Sequence, residues 1–238
     1  MEDEGAFGRA TGRNLEDDSG KPRYLRYQRN LMLPHCGRSV LEIGAGTGEF
    51  ASHVRGPDRY VLTDVDPEAA QYMKQRFAGR PEVEVHTLDL DEWPRLDRPV
   101  ETAVAINVLE HIEDDAAALR SLSRLVLPGG TVVLWVPGYQ RLYGEFDRLV
   151  GHVRRYTPRT LRDAVLRAGL TPHITKPINF LGALAWWAMV RKGSTNAPNK
   201  RLVRIYDRFV VPVTELTEKA VPAPFGQSIL CVARTPES

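Results

Sequence analysis

The chain is poor in cysteine, shows no surplus of either charge and has no long apolar run. Its two cysteines, Cys36 and Cys231, lie far apart. They make neither a disulfide framework nor a zinc-binding spacing, so no metal is expected and a reducing, cytoplasmic setting fits. The net charge is +2, from 32 basic and 30 acidic residues. Such balance argues against a broad nucleic-acid surface, and no nucleic-acid partner is expected, although a local arginine groove stays open. The longest nearly apolar stretch, 178–190, contains Asn179 and falls short of the roughly 20 residues that cross a bilayer. No transmembrane segment is expected. The acidic start, Met1-Glu2-Asp3-Glu4, has no apolar stretch behind it, so no signal peptide is expected either. What remains is an ordinary globular composition, 42% hydrophobic and 26% charged over 238 residues. At roughly 150 residues per domain, that is one domain with an elaboration.

Residues 1–20 carry few large apolar groups and read as a mobile tail, with a single domain over 21–238. Bases alternate with Tyr24, Tyr27, Leu31 and Met32 between Lys21 and Leu33, the pattern of an amphipathic helix. Beyond Pro34 the chain alternates strand and helix. Short apolar strands are expected at 39–43, 60–63, 83–87, 102–106 and 131–136, with helices after Pro67, over 116–127 and after Thr157-Pro158. A sixth strand is expected at 171–177 and a last one at 228–234. This alternation predicts an α/β fold, a mostly parallel sheet with helices on both faces. Two connections are long, 137–157 and 178–228. Segments of that length usually build lids or binding surfaces, and both are expected on the acceptor side of a ligand site.

The first strand runs into Glu42-Ile43-Gly44-Ala45-Gly46-Thr47-Gly48. Glycines there let the chain turn sharply and let a ligand touch backbone. Asp64 follows Gly44 at the end of the second strand, where a carboxylate suits the two hydroxyls of a ribose. The glycine spacing is G-x-G-x-G, and Glu49 stands where a dinucleotide-binding loop would place its third glycine. Glu42 beside the loop would repel a pyrophosphate and suits a ligand carrying an ammonium group. A nicotinamide-dependent oxidoreductase is therefore disfavoured.

These residues resemble the class I S-adenosylmethionine (SAM)-dependent methyltransferases, over about residues 38–175. Val40 to Gly48 looks like the first motif of that family and Asp64 like its ribose-binding acid. Leu88-Asp89-Leu90 resembles the segment that meets the adenine. Ile106-Asn107-Val108-Leu109-Glu110-His111-Ile112 is similar to the fourth-strand segment beside the cofactor. Leu127-Pro128-Gly129-Gly130-Thr131 resembles the turn into the fifth strand. The resemblance implies a Rossmann-like sheet of seven strands with the last one reversed and a helical insertion before it. It also implies SAM as cofactor, held by Glu42, Gly44, Ala45, Gly46, Gly48, Asp64, Val65, Asp89, Leu90 and Asn107. Two of these roles have plain alternatives. Glu42 either holds the methionine ammonium or caps loop amides. Asn107 offers either its backbone carbonyl or its amide.

A narrower resemblance, to a bacterial subgroup, covers Leu142–Asp147 and Gly151–Tyr156. His152, with His111 second, is the expected proton acceptor if the nucleophile is a hydroxyl, and Asp147 its companion. Tyr143, Arg154, Arg155, Tyr156 and Trp186 are expected to face the acceptor, the arginines gripping an anionic group. The alternatives are that His111 is only a neighbour of the cofactor and that an Asp147–arginine pair merely pins the loop. The apolar segment at 178–190 reads as a lid, as core, as a peripheral membrane contact or as a homodimer contact. The function expected is methyl transfer to an O or N atom of a small-molecule acceptor, sugar-linked or a natural-product intermediate. The alternatives are a SAM-binding protein with a non-methylating or regulatory role, and an RNA methyltransferase.

Overall fold

The computed structural model describes residues 20–88, 96–191 and 200–237. The expected tail up to residue 19 and the expected adenine contacts, Asp89 and Leu90, lie outside the described residues. Seven strands form one sheet: β1 (Ser39–Ile43), β2 (Arg59–Asp64), β3 (Val83–Thr87), β4 (Val100–Ile106), β5 (Val126–Pro137), β6 (Thr171–Ile178) and β7 (Ser228–Arg234). Their order is β3-β2-β1-β4-β5-β7-β6. β7 runs antiparallel to both its neighbours, and the remaining pairings are parallel. Chain order reverses between β1 and β4. In open sheets of this kind the crevice at such a switch point, beyond the carboxyl ends of the strands, is where ligands bind.

Side chains alternate across the sheet with period two. Along β5, Val132, Leu134 and Val136 enter one core cluster, while Val133 and Trp135 enter the other. The first cluster takes in α4 (Asp115–Ser123) and α6 (Pro158–Arg167). The second takes in α1 (Pro22–Met32), α2 (Glu49–His53) and α3 (Pro67–Arg76). Pro67 opens α3 behind Asp66, whose carboxylate accepts the Glu68 amide at 2.9 Å. Thr157 caps α6 in the same way, accepting the Thr160 amide at 3.1 Å. Both prolines stand where a helix has no use for the missing N–H.

The expected helix over 116–127 ends at Ser123 instead, and β5 starts at Val126. Leu122, Leu125 and Val126 fit helical spacing, but Val126 pairs with Val100 across a register shift that takes up Pro128-Gly129-Gly130. Gly129 has φ +69, and a Cβ on Gly130 would meet the Glu101 carbonyl oxygen at 2.8 Å. That bulge needs glycine. β6 contains Pro172 and Pro177, which suit it only because it lies at the sheet edge.

The two long connections are ordered where described. A 3₁₀ turn (Gln140–Leu142) and α5 (Glu145–Leu149) fill the first. The second contains α7 (Phe180–Arg191), α8 (Lys200–Ile205), a π-helical turn (Tyr206–Val210) and α9 (Val211–Ala220). β6 ends and the reversed β7 begins at the same edge, so this insertion rises from the carboxyl ends of the strands. α7 packs on α9, on the π turn and on the 140–142 turn. The π turn ties down α1, because the buried Asp207 carboxylate accepts the backbone amides of Arg23 (3.2 Å) and Tyr24 (2.9 Å).

Candidate active site

Three glycines of the first loop have left-handed φ, for different reasons. A Cβ on Gly44 would lie 2.6 Å from Val108 Cγ2, and one on Gly48 would lie 2.5 Å from the Phe77 ring. Those two allow elements to close on each other. Gly46, at φ +57, meets nothing within 4 Å. Its exposed face is open space, where a ligand can lie against backbone. Asp64 is buried at the end of β2 beside it. Its Oδ2 accepts the Gly46 amide (2.8 Å) and its Oδ1 accepts the Asp66 amide (3.0 Å). The carboxylate is thereby oriented next to the loop. Val65, half exposed, follows it, and the Ala45 amide is bonded to the Thr63 carbonyl at 2.9 Å.

Glu42 lies on the β1 face that carries Val40 and is buried. Its Oε2 accepts the Tyr60 hydroxyl at 2.7 Å. The partner is thus a phenol on β2 rather than the loop amides. Burial pushes its carboxyl up to about 7, against the lowering effect of the Tyr60 bond, with nearby Asp64 adding to the rise. Bringing a cation to Glu42 would favour its ionised form. An open cradle at Gly46, a held carboxylate at Asp64 and a buried acid seeking positive charge suit a nucleoside with an amino-acid tail. The residues present fit SAM.

Asn107, just past β4, has φ +50, and its amide donates to the Trp135 carbonyl at 2.8 Å. Of the two backbone groups considered for the cofactor, the amide is therefore taken up by the sheet. Tyr139 past β5 (φ +59) and Asn179 past β6 (φ +67) share this conformation. Among the described residues these are the non-glycine positions with left-handed φ, and all three cap strand ends at one edge. Strained backbone of this kind clusters at functional sites.

On the acceptor side a buried network forms. His152 Nδ1 lies 2.8 Å from Asp147 Oδ1. Arg155 donates to the same carboxylate through Nε (2.8 Å) and Nη2 (3.0 Å), and the Gly144 amide adds a fourth bond at 2.9 Å. The bonds from His152 and Arg155 hold the Asp147 carboxyl below the usual carboxylate range against its own burial. The other ring nitrogen of His152 faces Glu110 Oε1 at 3.8 Å, and Glu110 is fully buried. His111 is exposed, and its ring meets that of His152 edge-on at 4.7 Å. Glu110, His111 and His152 bring one ligand atom each within 4.8 Å of one another, a donor set that also suits a cation.

The expected acceptor-gripping arginines are both engaged within the chain. Arg155 lies on Asp147 and over the Trp186 ring at 5.3 Å. Arg154 bonds the Asp115 carboxylate (3.1 Å) and the Glu113 carbonyl (2.6 Å). Tyr156 is buried with its hydroxyl on Asp115 at 3.1 Å, and burial with that carboxylate pushes the phenol well above its ordinary range. The Tyr143 hydroxyl donates to the His152 carbonyl (2.6 Å), and Trp186 Nε1 donates to the Leu142 carbonyl (2.9 Å).

Three participants escape a reading of the sequence. Glu110 sits inside a recognisable segment, yet nothing in sequence marks it as the buried neighbour of His152. Tyr60 looks like any strand aromatic. Asn179, a polar break in an apolar run, was the one available signal. Its side chain joins Gln227 Oε1 (2.7 Å), the Gly182 amide (3.2 Å) and the Tyr206 hydroxyl (2.7 Å).

Residues 15–173 match the family model described as a methyltransferase domain. The chain belongs to the class I SAM-dependent methyltransferases. A probable S-adenosylmethionine-dependent methyltransferase of Mycobacterium tuberculosis is 34% identical over 113 residues, 47% of this chain and 39% of that protein. The malonyl-[acyl-carrier protein] O-methyltransferase of Pectobacterium atrosepticum is 30% identical over 170 residues, 67% of this chain and 64% of that one. This methyltransferase chain thus spans from about two fifths to under two thirds of those relatives' lengths. In fold it resembles the N-methyltransferase NodS of Bradyrhizobium japonicum, solved with S-adenosyl-L-homocysteine (SAH), with a TM-score of 0.61 and 16% identity over 97% of this chain and 99% of that one. No described helix is long and apolar enough to cross a membrane.

Proposed function

We propose that this domain transfers the SAM methyl group to an oxygen or nitrogen of a small-molecule acceptor. The observation that carries this reading is the juxtaposition, at one sheet edge, of the Gly46–Asp64 cradle with an imidazole pair backed by buried carboxylates. When bound, SAM supplies a methyl group already activated on a sulfonium, so the protein contributes approach geometry and a dry site. Gly44, Gly46 and Asp64 hold the nucleoside, and Glu42 receives the ammonium end. Both ring nitrogens of His152 face carboxylates, and its side chain is almost enclosed. His111 is the exposed member. We therefore assign His111 to accept the proton of a hydroxyl acceptor, and His152, held by Asp147, to position it. Arg155 and Tyr156 brace the loop that carries His152.

Mass spectrometry of cell extract incubated with the enzyme and isotopically labelled SAM tests the reading. The expected label is on a small molecule. Label confined to RNA, or release of no SAH with any extract fraction, would reject it. The two histidines separate by kinetics. His111→Ala should lower kcat by about 100-fold or more, the usual scale for removing a general base, with SAH affinity unchanged. His152→Ala should lower kcat and also flatten the pH profile less sharply than His111→Ala does. Full activity of His111→Ala towards a hydroxyl acceptor would remove it from the reaction.

A further inference from the structure

The chain from α8 through the π turn to the end of α9 forms one continuous helical rod. One side of it is anchored, with Asp207, Val211 and Thr214 buried. The opposite side carries Leu202, Ile205, Phe209, Val213 and Leu216, each between 45% and 71% exposed. Their spacing of three and four residues makes a single stripe along the rod. Exposed single leucines are ordinary, but a five-residue apolar stripe along one helical rod is not. Arg201, Arg204 and Arg208 line one flank of the stripe at its amino-terminal half, and all three are exposed. The preceding helix, α7, which packs on α9 and on the π turn, also carries exposed Leu184 and Trp187.

We infer that this rod docks in the plane of an anionic lipid surface. Its apolar stripe lies in the acyl boundary, and the arginine flank lies at the level of the phosphate headgroups. The chemistry that recognises such a surface is on both parts of the rod. Apolar side chains gain by leaving water, and basic residues at their margin reach back to anionic headgroups. The arginine flank favours this occupant over a second copy of the chain. Residues 200–220 carry five basic and three acidic residues, so a second copy of the rod would bring a like net charge to the contact, whereas anionic headgroups complement it. The inference stands independently of the methyl acceptor.

Co-sedimentation of the full chain with phosphatidylcholine vesicles, with and without phosphatidylglycerol, tests it. Binding to the anionic vesicles should exceed binding to the neutral ones by roughly tenfold and should weaken as salt rises. Phe209→Ser combined with Leu216→Ser should abolish binding to both kinds of vesicle. Arg201→Gln, Arg204→Gln and Arg208→Gln together should erase only the preference for anionic vesicles. Retained SAH affinity shows that each variant is folded. If the serine pair does not fold, Leu216→Asp alone serves. No difference between the two vesicles, or no loss with the apolar variants, would overturn the inference. So would a stable dimer in light scattering that Leu216→Asp dissociates, since a second copy would then cover the stripe.

Discussion

The cofactor side of the crevice and its acceptor side are held in contrasting ways. Around β1 and β2 the shaping is done by backbone. Three glycines take left-handed φ, and the amides of Gly46 and Asp66 aim the Asp64 carboxylate. On the acceptor side the shaping is done by side chains that reach across the chain. Tyr156 meets Asp115, Trp186 meets Leu142, Asn179 meets Gln227, and Asp207 ties down the start of α1. A backbone cradle leaves a short local signature, whereas a web of side-chain bonds leaves none until the chain has folded. The first kind of site should lose ligand affinity when altered, and the second should lose stability.

The sharpest break is at Asp147. Asp147→Ala leaves the Arg155 guanidinium and His152 buried without their carboxylate. Removing one partner of a buried ion pair typically costs about 3–5 kcal/mol. Thermal unfolding should show a loss on that scale, while the surviving folded fraction keeps its SAH affinity. An equally large drop in affinity would mean that the two sides are not separately built.

Glu42 tests the cofactor side through pH. Its folded carboxyl is raised to about 7, above the ordinary value of 4.5. Below about 4.5 both folded and unfolded forms are protonated, and the residue has no pH effect. As pH rises from there to about 7 the unfolded chain releases this proton first, so stability falls, and above about 7 the loss is complete. At roughly 1.4 kcal/mol per pH unit, the total is on the order of 3 kcal/mol. Glu42→Gln should remove that slope in urea melts of the ligand-free protein. It should also cost affinity for SAH at pH 8, where the wild type offers an ionised partner for the ammonium. A slope identical in both proteins would place the raised carboxyl elsewhere.

How far the sequence carries follows the same division. The succession of strands along the chain and Asp64 at the end of β2 were legible, because each depends on residues within one strand and its turn, whereas the reversal of the last strand came through the family resemblance. The end of α4 was misread because Leu122, Leu125 and Val126 satisfy helical spacing, and only the pairing of Val126 with Val100 draws the chain into the sheet. For Arg155 the alternative of a pair with Asp147 that pins the loop was legible and is the one the fold contains, whereas Arg154 read as a substrate grip because its acid, Asp115, is a partner that only the fold brings close. Glu110 stayed unmarked for the same reason. Its burial against His152 comes from the return of the 137–157 connection over β4.

Asp64→Ala should weaken SAH by about 100-fold, the size of losing charge-assisted bonds to two ribose hydroxyls. Calorimetry reads this directly. Asp64→Asn should fall between the two, since it keeps one acceptor oxygen. Unchanged affinity in the alanine variant would reject the ribose assignment.

The finest distinction separates backbone strain from side-chain bonding at Asn179. Its φ of +67 suits glycine, and asparagine tolerates it better than most residues. Its side chain bonds Gln227, Gly182 and Tyr206. Asn179→Gly loses those bonds but relaxes the backbone, whereas Asn179→Ala loses them and adds left-handed strain. Both variants should be less stable than the wild type, and alanine should be worse than glycine by about 1 kcal/mol. SAH affinity should move little in either, because Asn179 belongs to the acceptor side. If glycine and alanine melt together, the loop after β6 has found another path, and the insertion is held by Asp207 and Glu218 rather than by this turn.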